Sequence, residues 1–466
     1  MFIEFYGAAG EVTGSLHRLH VGGRDVLLDC GLFQGRRAEA NRLNRQVPRF
    51  ALEADCVVLS HAHLDHSGNI PSLVKRGFTG NIYCTPSTRD LCSVMLRDAA
   101  IIQEQDAKHL NRQAERDGGE RVEPIYRVDD AQRAINQMIS LPYKRPLQVV
   151  PGVNLTFHNA GHVLGSALVQ LDLEEQGKRV RLLFTGDLGR EELPLLEPPE
   201  LVEDVDFLLM ESTYGDRVHP DYDAIDERLR EIIVSTLERK GRVYIPTFAL
   251  ERAQEVLFAL DRLHRRGQLG EIPVYIDSPL AIAITEIYKL HPESLRADIR
   301  QRILERDDPF SPSGLQYISD VASSRELQSR NEPCIVIAGS GMCEGGRIVH
   351  HLRLALQDPK HSIVIVGFMA QHTLGRRLVE RRPAVRVLGV ERRVNAQVHV
   401  LDGLSAHADQ PDLIAFAKDV ARVGNVRNIA LVHGEGHAQE ALAGKLQEAL
   451  AGPALSIPKR GERIEL

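Results

Sequence analysis

The chain has 466 residues, 43% of them hydrophobic, and a formal net charge of -7. That length and apolar content bury a sizeable core and suggest roughly two to four domains. The negative balance argues against indiscriminate polyanion binding, so a nucleic-acid partner requires a locally basic groove. Six scattered cysteines (Cys30, Cys56, Cys84, Cys92, Cys334, Cys343) form no C-x-x-C pair, which argues against a disulfide framework or a thiolate zinc knuckle.

The first strand is expected from Phe2, with no basic stretch before it. No apolar run approaches the ~18 residues of a membrane span, so a cytoplasmic protein with no membrane partner is expected. Gly22-Gly23 joins two alternating strands, the second ending in Val26-Leu27-Leu28-Asp29. Cys56-Val57-Val58-Leu59 then reads as a buried strand that delivers His61 at its carboxyl end. The run Ser60-His61-Ala62-His63-Leu64-Asp65-His66-Ser67-Gly68 packs four metal-ligand side chains into six positions. His61 and His63, two apart, can converge on one ion, while Asp65 and His66 face a second. Imidazoles with carboxylates and no nearby thiolate favour zinc, with Mn²⁺ and Fe²⁺ compatible by ligand type.

Segment 98–140 reads as polar and helical with a Gly118-Gly119 break, a surface excursion. Two more candidate ligands follow apolar runs: His162 in Ala160-Gly161-His162 and Asp187 in Phe184-Thr185-Gly186-Asp187. His162 completes the shell of the first ion. Asp187 has two oxygens with which to bridge cations ~3.5–4 Å apart.

From Tyr222 the rhythm changes to helix (about 223–239), strand 243–245, helix (about 250–265), strand 273–276 and helix again, the order of βαβ units on a parallel sheet. The run 334–338 continues it, ahead of a glycine-rich turn, Gly339 to Gly346, expected to open a helix and offer backbone N–H groups to a phosphate. Segment 305–330 is charged and expected on the surface. Arg252, Arg347, Arg376 and Arg377 are candidate phosphate clamps, because guanidinium forks match phosphate oxygens. With 5% aromatic residues and no tryptophan, no base-stacking platform is evident, and backbone contacts should dominate.

Taken in order, these segments resemble the metallo-β-lactamase superfamily and, within it, the β-CASP group of nucleic-acid-processing enzymes. The superfamily's first motif resembles Asp29 in Leu27-Leu28-Asp29-Cys30-Gly31, its second the 61–66 cluster, its third His162 and its fourth Asp187. The β-CASP motifs resemble Glu211 in Met210-Glu211-Ser212-Thr213-Tyr214-Gly215, His407 in Leu404-Ser405-Ala406-His407-Ala408-Asp409, and His433 in Leu431-Val432-His433-Gly434-Glu435. The likeness spans nearly the whole chain. It is strongest to the branch holding the nuclease subunit of the cleavage and polyadenylation specificity factor and its bacterial and archaeal relatives, through Pro246 to Glu255 and Ser340-Gly341-Met342. Gln371-His372-Thr373 departs from that branch's acidic-Gly-Thr form.

The resemblance implies an α/β fold: an αββα metallo-β-lactamase sandwich built from residues 1–215 and 396–466, with a Rossmann-like β-CASP domain inserted at 216–395. It implies two zinc ions per chain, one on His61, His63, His162 and Asp187, the other on Asp65, His66, Asp187 and His433. Asp29 would orient a ligand histidine. Asp65, Glu211 and His407 are the expected catalytic residues, His407 being held cationic by Glu211 as general acid. Histidine at position 433 resembles the RNA-processing branch, so single-stranded RNA is the expected partner, with Arg252, Ser340, Gly341, Arg347, Arg376 and Arg377 as candidate contacts. Endonucleolytic hydrolysis is expected, with 5′ exonuclease action as the variant of the same chemistry and a homodimer as the association seen in relatives. His437, four residues after His433, is the rival ligand, but the apolar run 429–432 makes His433 the strand-end residue. A small-molecule metallo-hydrolase and a non-catalytic scaffold subunit are the competing readings.

Overall fold

The computed structural model describes residues 1–466 apart from 36, 118, 221 and 368, and apart from the side chains at 37, 38, 117, 222, 223 and 402. The chain divides into two compact units, Met1–Val218 with Ala406–Leu466, and His219–Ser405.

The first unit contains two seven-stranded sheets. One runs, in spatial order, Arg463–Glu465, Phe2–Gly7, Leu16–Val21, Arg24–Leu28, Cys56–Val58, Asn81–Cys84 and Met138–Ser140. The other runs Ala454–Ser456, Asn428–Val432, Phe207–Glu211, Lys178–Phe184, Ala167–Glu175, Val153–Asn159 and Leu147–Val150. Strand alternation assigns the faces. In the run from Phe207 to Met210, Phe207 and Leu209 enter one core with Ile3, Phe5, Leu28, Val58, Phe157 and Phe184 from both sheets. Leu208 and Met210 point the other way, onto Leu413, Ala417 and Val420 of helix Gln410–Val423 and Leu442 and Leu446 of helix Gly436–Ala449. Because both faces of this strand are covered, it reads as a continuous apolar run. The second part of the unit re-enters the sheet directly: Asn428–Val432 pairs in parallel with Phe207–Glu211, His433 following Val432 as Ser212 follows Glu211.

Leu209 is fully buried between the sheets. Leu209→Ala should lower the unfolding free energy of this unit by about 2–5 kcal/mol, read as a fall in the denaturant midpoint with an unchanged slope.

The second unit holds a six-stranded sheet, all parallel, in the order Leu315–Tyr317, Val274–Ile276, Ile335–Ala338, Val243–Pro246, Ser362–Ile365, Gln397–Val400. Its four inner strands are buried along their whole length, as a sheet covered on both faces demands. A hairpin of Ala384–Val387 and Val390–Arg393 adds Val385 and Val387 to its core.

Two sequence expectations need adjustment here, and a third falls partly outside the described residues. Residues 397–400, assigned above to the sandwich, add an edge strand beside Ser362–Ile365, so the second unit runs to Ser405 rather than ending at 395. Segment 305–330 is more than a charged excursion, since it supplies strand Leu315–Tyr317 and helix Val321–Ser329. Of the break expected at 118–119, Gly118 lies outside the described residues, and helix Pro86–Asp117 ends just before it.

Candidate metal centre

The carboxyl ends of five strands in the first unit carry the ligand-type side chains. Cys56–Val58 leads through Leu59 and Ser60 to His61 and then into the short helix Leu64–Ser67, which presents Asp65 and His66. Val153–Asn159 leads to His162, Lys178–Phe184 to Asp187, Phe207–Glu211 ends on Glu211, and Asn428–Val432 leads to His433. The loops before Leu16–Val21 and after Arg24–Leu28 clamp the helix that bears Asp65. Cys30 N donates to the His66 carbonyl at 2.8 Å and Ser15 N to the Asp65 carbonyl at 2.8 Å. Gly31 has to be glycine there, because a Cβ would stand 1.6 Å from the Asp65 carbonyl oxygen.

The ligand atoms fall into two groups. His61 Nε2 lies 3.0 Å from His63 Nδ1, and His162 Nε2 lies 3.3 Å from the same nitrogen. Both Nε2 atoms are 3.5 Å from Asp187 Oδ2. In the second group His66 Nε2 and His433 Nε2 are 3.1 Å apart, His433 Nε2 is 3.6 Å from Asp65 Oδ2, and His66 Nε2 is 3.3 Å from Asp187 Oδ1. Asp187 therefore turns one oxygen to each group.

Electrostatics fit cations at both places. Burial first, and the neighbouring imidazoles after it, hold His61 and His162 well below the usual histidine range, and burial holds His63 at about 4. Their rings are neutral, with lone pairs to give. Burial works against ionising Asp65, yet the His433 hydrogen bond and the surrounding histidines bring it down to about 2. Asp187 is likewise held well below the carboxylate range by His433, His66 and His61 in spite of its burial. Its Oδ1 is buried without a hydrogen-bond partner. Burial disfavours charge on His66, but Asp187 and Asp29 outweigh it and call for positive charge on that ring. A cation at Nε2 supplies that charge as well as a proton does. Neutral imidazoles converging on ionised carboxylates, one oxygen of which lacks a donor, are the environment that a divalent metal ion satisfies.

Behind His66, Asp29 is fully buried and accepts from His66 Nδ1 at 2.7 Å, from Ser15 Oγ at 3.0 Å, and from Ser60 N and Oγ at 2.8 and 3.1 Å. A carboxylate only accepts, so Nδ1 carries the proton and Nε2 is left to ligate. Thr213 Oγ1 sits 3.1 Å from His433 Nδ1. Sequence reasoning missed Ser15, Ser60 and Thr213. Their one signal is adjacency, Ser60 preceding His61 and Thr213 lying two residues after Glu211.

His407 enters from the returning segment, where it bridges Gly189 and the next residue, Ala408, donates to the Leu188 carbonyl at 2.8 Å. Its Nδ1 meets Glu211 Oε1 at 3.0 Å and Oε2 at 3.3 Å. Its ring centroid lies 4.4 Å from that of His162, the two planes tilted by 46°. Burial opposes charging His407, but the fully buried Glu211 carboxylate raises it to about 9, with help from Asp187 and Asp65. Glu211 is itself fixed by Leu188 N at 2.7 Å and Thr213 N at 3.2 Å. His437 points elsewhere: its exposed ring pairs with Asp216 at 3.2 Å.

The six candidate contacts for a polyanion all lie in the second unit, and the structure treats them differently. Arg347 is not open for phosphate. Its Nη1 donates to Asp277 at 2.7 Å and to the Ile318 carbonyl at 2.9 Å, and Nη2 donates to the Ser319 carbonyl at 2.7 Å. In the glycine-rich turn part of the backbone is committed internally. Ser340 N, Cys343 N, Gly345 N and Ile348 N all bond within the turn, Ser340 Oγ accepts from Gly345 N at 3.3 Å, and the helix starts only at Ile348. Gly341 lies against Phe248. Arg252 is largely buried and bonds Glu255. Arg376 and Arg377 line a cavity of about 490 Å³ with Gln371, His372 and Arg382. Glu380 accepts from Arg376 Nε at 3.1 Å and Arg382 Nε at 3.2 Å.

Comparison with known proteins follows the same order along the chain. A metallo-beta-lactamase superfamily domain matches residues 18–180, a Beta-Casp domain residues 253–378, and a Zn-dependent metallo-hydrolase RNA specificity domain residues 391–455. Ribonuclease TTHA0252 of Thermus thermophilus is 39% identical over 464 residues, covering 100% of both chains. The chain belongs to the β-CASP group of the metallo-β-lactamase superfamily. It is thus a metal-dependent hydrolase by class. Transcription termination factor FttA of Methanocaldococcus jannaschii is 32% identical over 93% of this chain and 67% of its own length. The protein of that name from Pyrococcus horikoshii is 36% identical over 82% and 57%. A crystal structure of a protein of unknown function from Enterococcus faecalis V583 shares the fold, with a TM-score of 0.51 at 14% identity, covering 100% of this chain and 99% of that one. Among the described residues, no helix is long and apolar enough to cross a membrane.

Proposed function

We propose that this chain is a zinc-dependent ribonuclease that hydrolyses phosphodiester bonds of single-stranded RNA in the cytoplasm, chiefly within the strand. The observation that carries the reading is the His407–Glu211 pair at 3.0 Å set against two convergent groups of metal-ligand side chains. Full-length likeness to a protein named as a ribonuclease supports RNA as the substrate.

His61, His63, His162 and Asp187 would hold one ion, and Asp65, His66, Asp187 and His433 the other. When bound, two zinc ions lower the pKa of water towards ~7 and neutralise charge at the scissile phosphate. The chain's own residues do the rest. Asp187 places one carboxylate oxygen at each group and offsets their positive charge. Asp29 keeps the proton of His66 on Nδ1. His407, charged at neutral pH through Glu211, delivers its Nε2 proton to the departing ribose oxygen, which otherwise leaves as a costly alkoxide. With Nδ1 occupied by Glu211, Nε2 is the nitrogen left to do so.

Asp29→Asn should weaken zinc binding roughly 10–100-fold while the far-ultraviolet circular dichroism stays unchanged, because the amide fixes His66 less firmly than the carboxylate. Incubation of zinc-loaded protein with single-stranded RNA labelled at one end or the other tests the reading itself. Discrete internal fragments on a sequencing gel are expected; mononucleotides released from the 5′ end alone would make it an exonuclease. RNA left whole, with a thioester or lactam hydrolysed instead, would sink the proposal.

A further inference from the structure

The second unit exposes two aromatic side chains among the described phenylalanines and tyrosines, Phe248 at 38% and Tyr317 at 40%. Both stand at the carboxyl edge of its parallel sheet. Phe248 follows strand Val243–Pro246 by two residues, and Tyr317 ends strand Leu315–Tyr317.

The surroundings of Phe248 are built to hold a ring in the open. Its strand lies between Ile335–Ala338 and Ser362–Ile365. The loop after each neighbour brings a glycine beside the ring, Gly341 and Gly367. A Cβ on Gly341 would come within 2.6 Å of the Phe248 ring, and one on Gly367 within 3.7 Å. Any side chain at 341 would displace the ring, so the glycine-rich turn serves as a seat for Phe248.

The place is also where such a sheet binds ligands. The chain passes from Val243–Pro246 over Ile335–Ala338 to Val274–Ile276, and from Ile335–Ala338 over Val243–Pro246 to Ser362–Ile365. Connections thus diverge from two adjacent strands, the topological switch point outside whose carboxyl ends open α/β sheets take their ligands.

We infer that Phe248 is a stacking platform for a nucleobase of single-stranded RNA. This rests on the ribonuclease reading above. An exposed ring on which a base can stack is a recurring part of sequence-tolerant single-strand binding.

The full chain has no tryptophan, so Phe248→Trp introduces a unique reporter. The test uses it on a His407→Ala background, which keeps the RNA whole. Titration with a single-stranded oligoribonucleotide should quench the indole saturably, and an abasic ribose-phosphate oligomer of equal length should not. Phe248→Ala should weaken RNA binding about tenfold, with Phe248→Tyr restoring it. RNA that the parent binds and cleaves without changing the indole signal, or equal quenching by the abasic oligomer, overturns the inference and leaves the ribonuclease reading standing. If the parent chain neither binds nor cleaves RNA, both fall.

Discussion

His407→Ala is expected to slow RNA cleavage by roughly 10²- to 10⁴-fold, the span of a positioned general acid, with the zinc content of the protein unchanged. The ring is absent from all three convergent ligand groups, which lie on His61, His63, His162 and Asp187, on Asp65, His66 and His433, and on Asp187, Glu211 and His433. Its anchor is Glu211. Zinc analysis beside single-turnover kinetics checks both halves, and a variant that loses its metal along with its activity would make His407 a structural histidine. Glu211→Gln extends the test to pH. The carboxylate raises His407 to about 9, so the acid form persists through neutral pH and is lost as pH rises through that value. Without the carboxylate the alkaline limb of the rate profile should move down towards the unperturbed ~6.5. Bound cations shift parent and variant together, so the difference between the two limbs reports Glu211. The sign for stability is the same. A folded pKa above the unfolded one stabilises fully below ~6.5 and contributes nothing once pH passes about 9.

The second large effect is at Asp187. Its oxygens face different ligand groups, Oδ2 at 3.5 Å from His61 and His162 and Oδ1 at 3.3 Å from His66. Asp187→Asn turns one of those acceptors into a donor and removes the charge that offsets two cations. Zinc affinity should fall by more than the roughly 10–100-fold attached to a residue behind a ligand, and cleavage with it. Equilibrium dialysis checks this. Retention of two tightly held ions by the variant would mean that the carboxylate does not serve both groups.

The parts of this centre that local pattern makes legible are those at strand ends. An apolar run followed at once by His or Asp, as at 56–61, 180–187 and 429–433, tells where a rigid sheet stops and a side chain emerges. The His407–Glu211 pair is different, since its members are 196 residues apart and nothing local links them. They came into view through the likeness of their motifs. Ser15, Ser60 and Thr213 are ordinary residues whose role depends on what the fold brings beside them. Arg347 shows the reverse error. Its charge and its place after a glycine turn read as a phosphate clamp, while Asp277, 70 residues earlier, takes its guanidinium inward. A low aromatic total says nothing about exposure, and the ring of Phe248 is on the surface. At the return crossing, residues 397–400 have the polar–apolar alternation of an edge strand, but only the neighbour at 362–365 shows which sheet they complete.

The most direct test of a two-ion ribonuclease centre is to strip the full chain of metal, add back zinc stepwise, and read bound zinc and RNA cleavage in the same samples. Cleavage should stay low through the first equivalent and rise with the second, reaching its plateau at two ions per chain. Full cleavage by metal-free or singly loaded protein, or none at two ions, would contradict a two-ion centre.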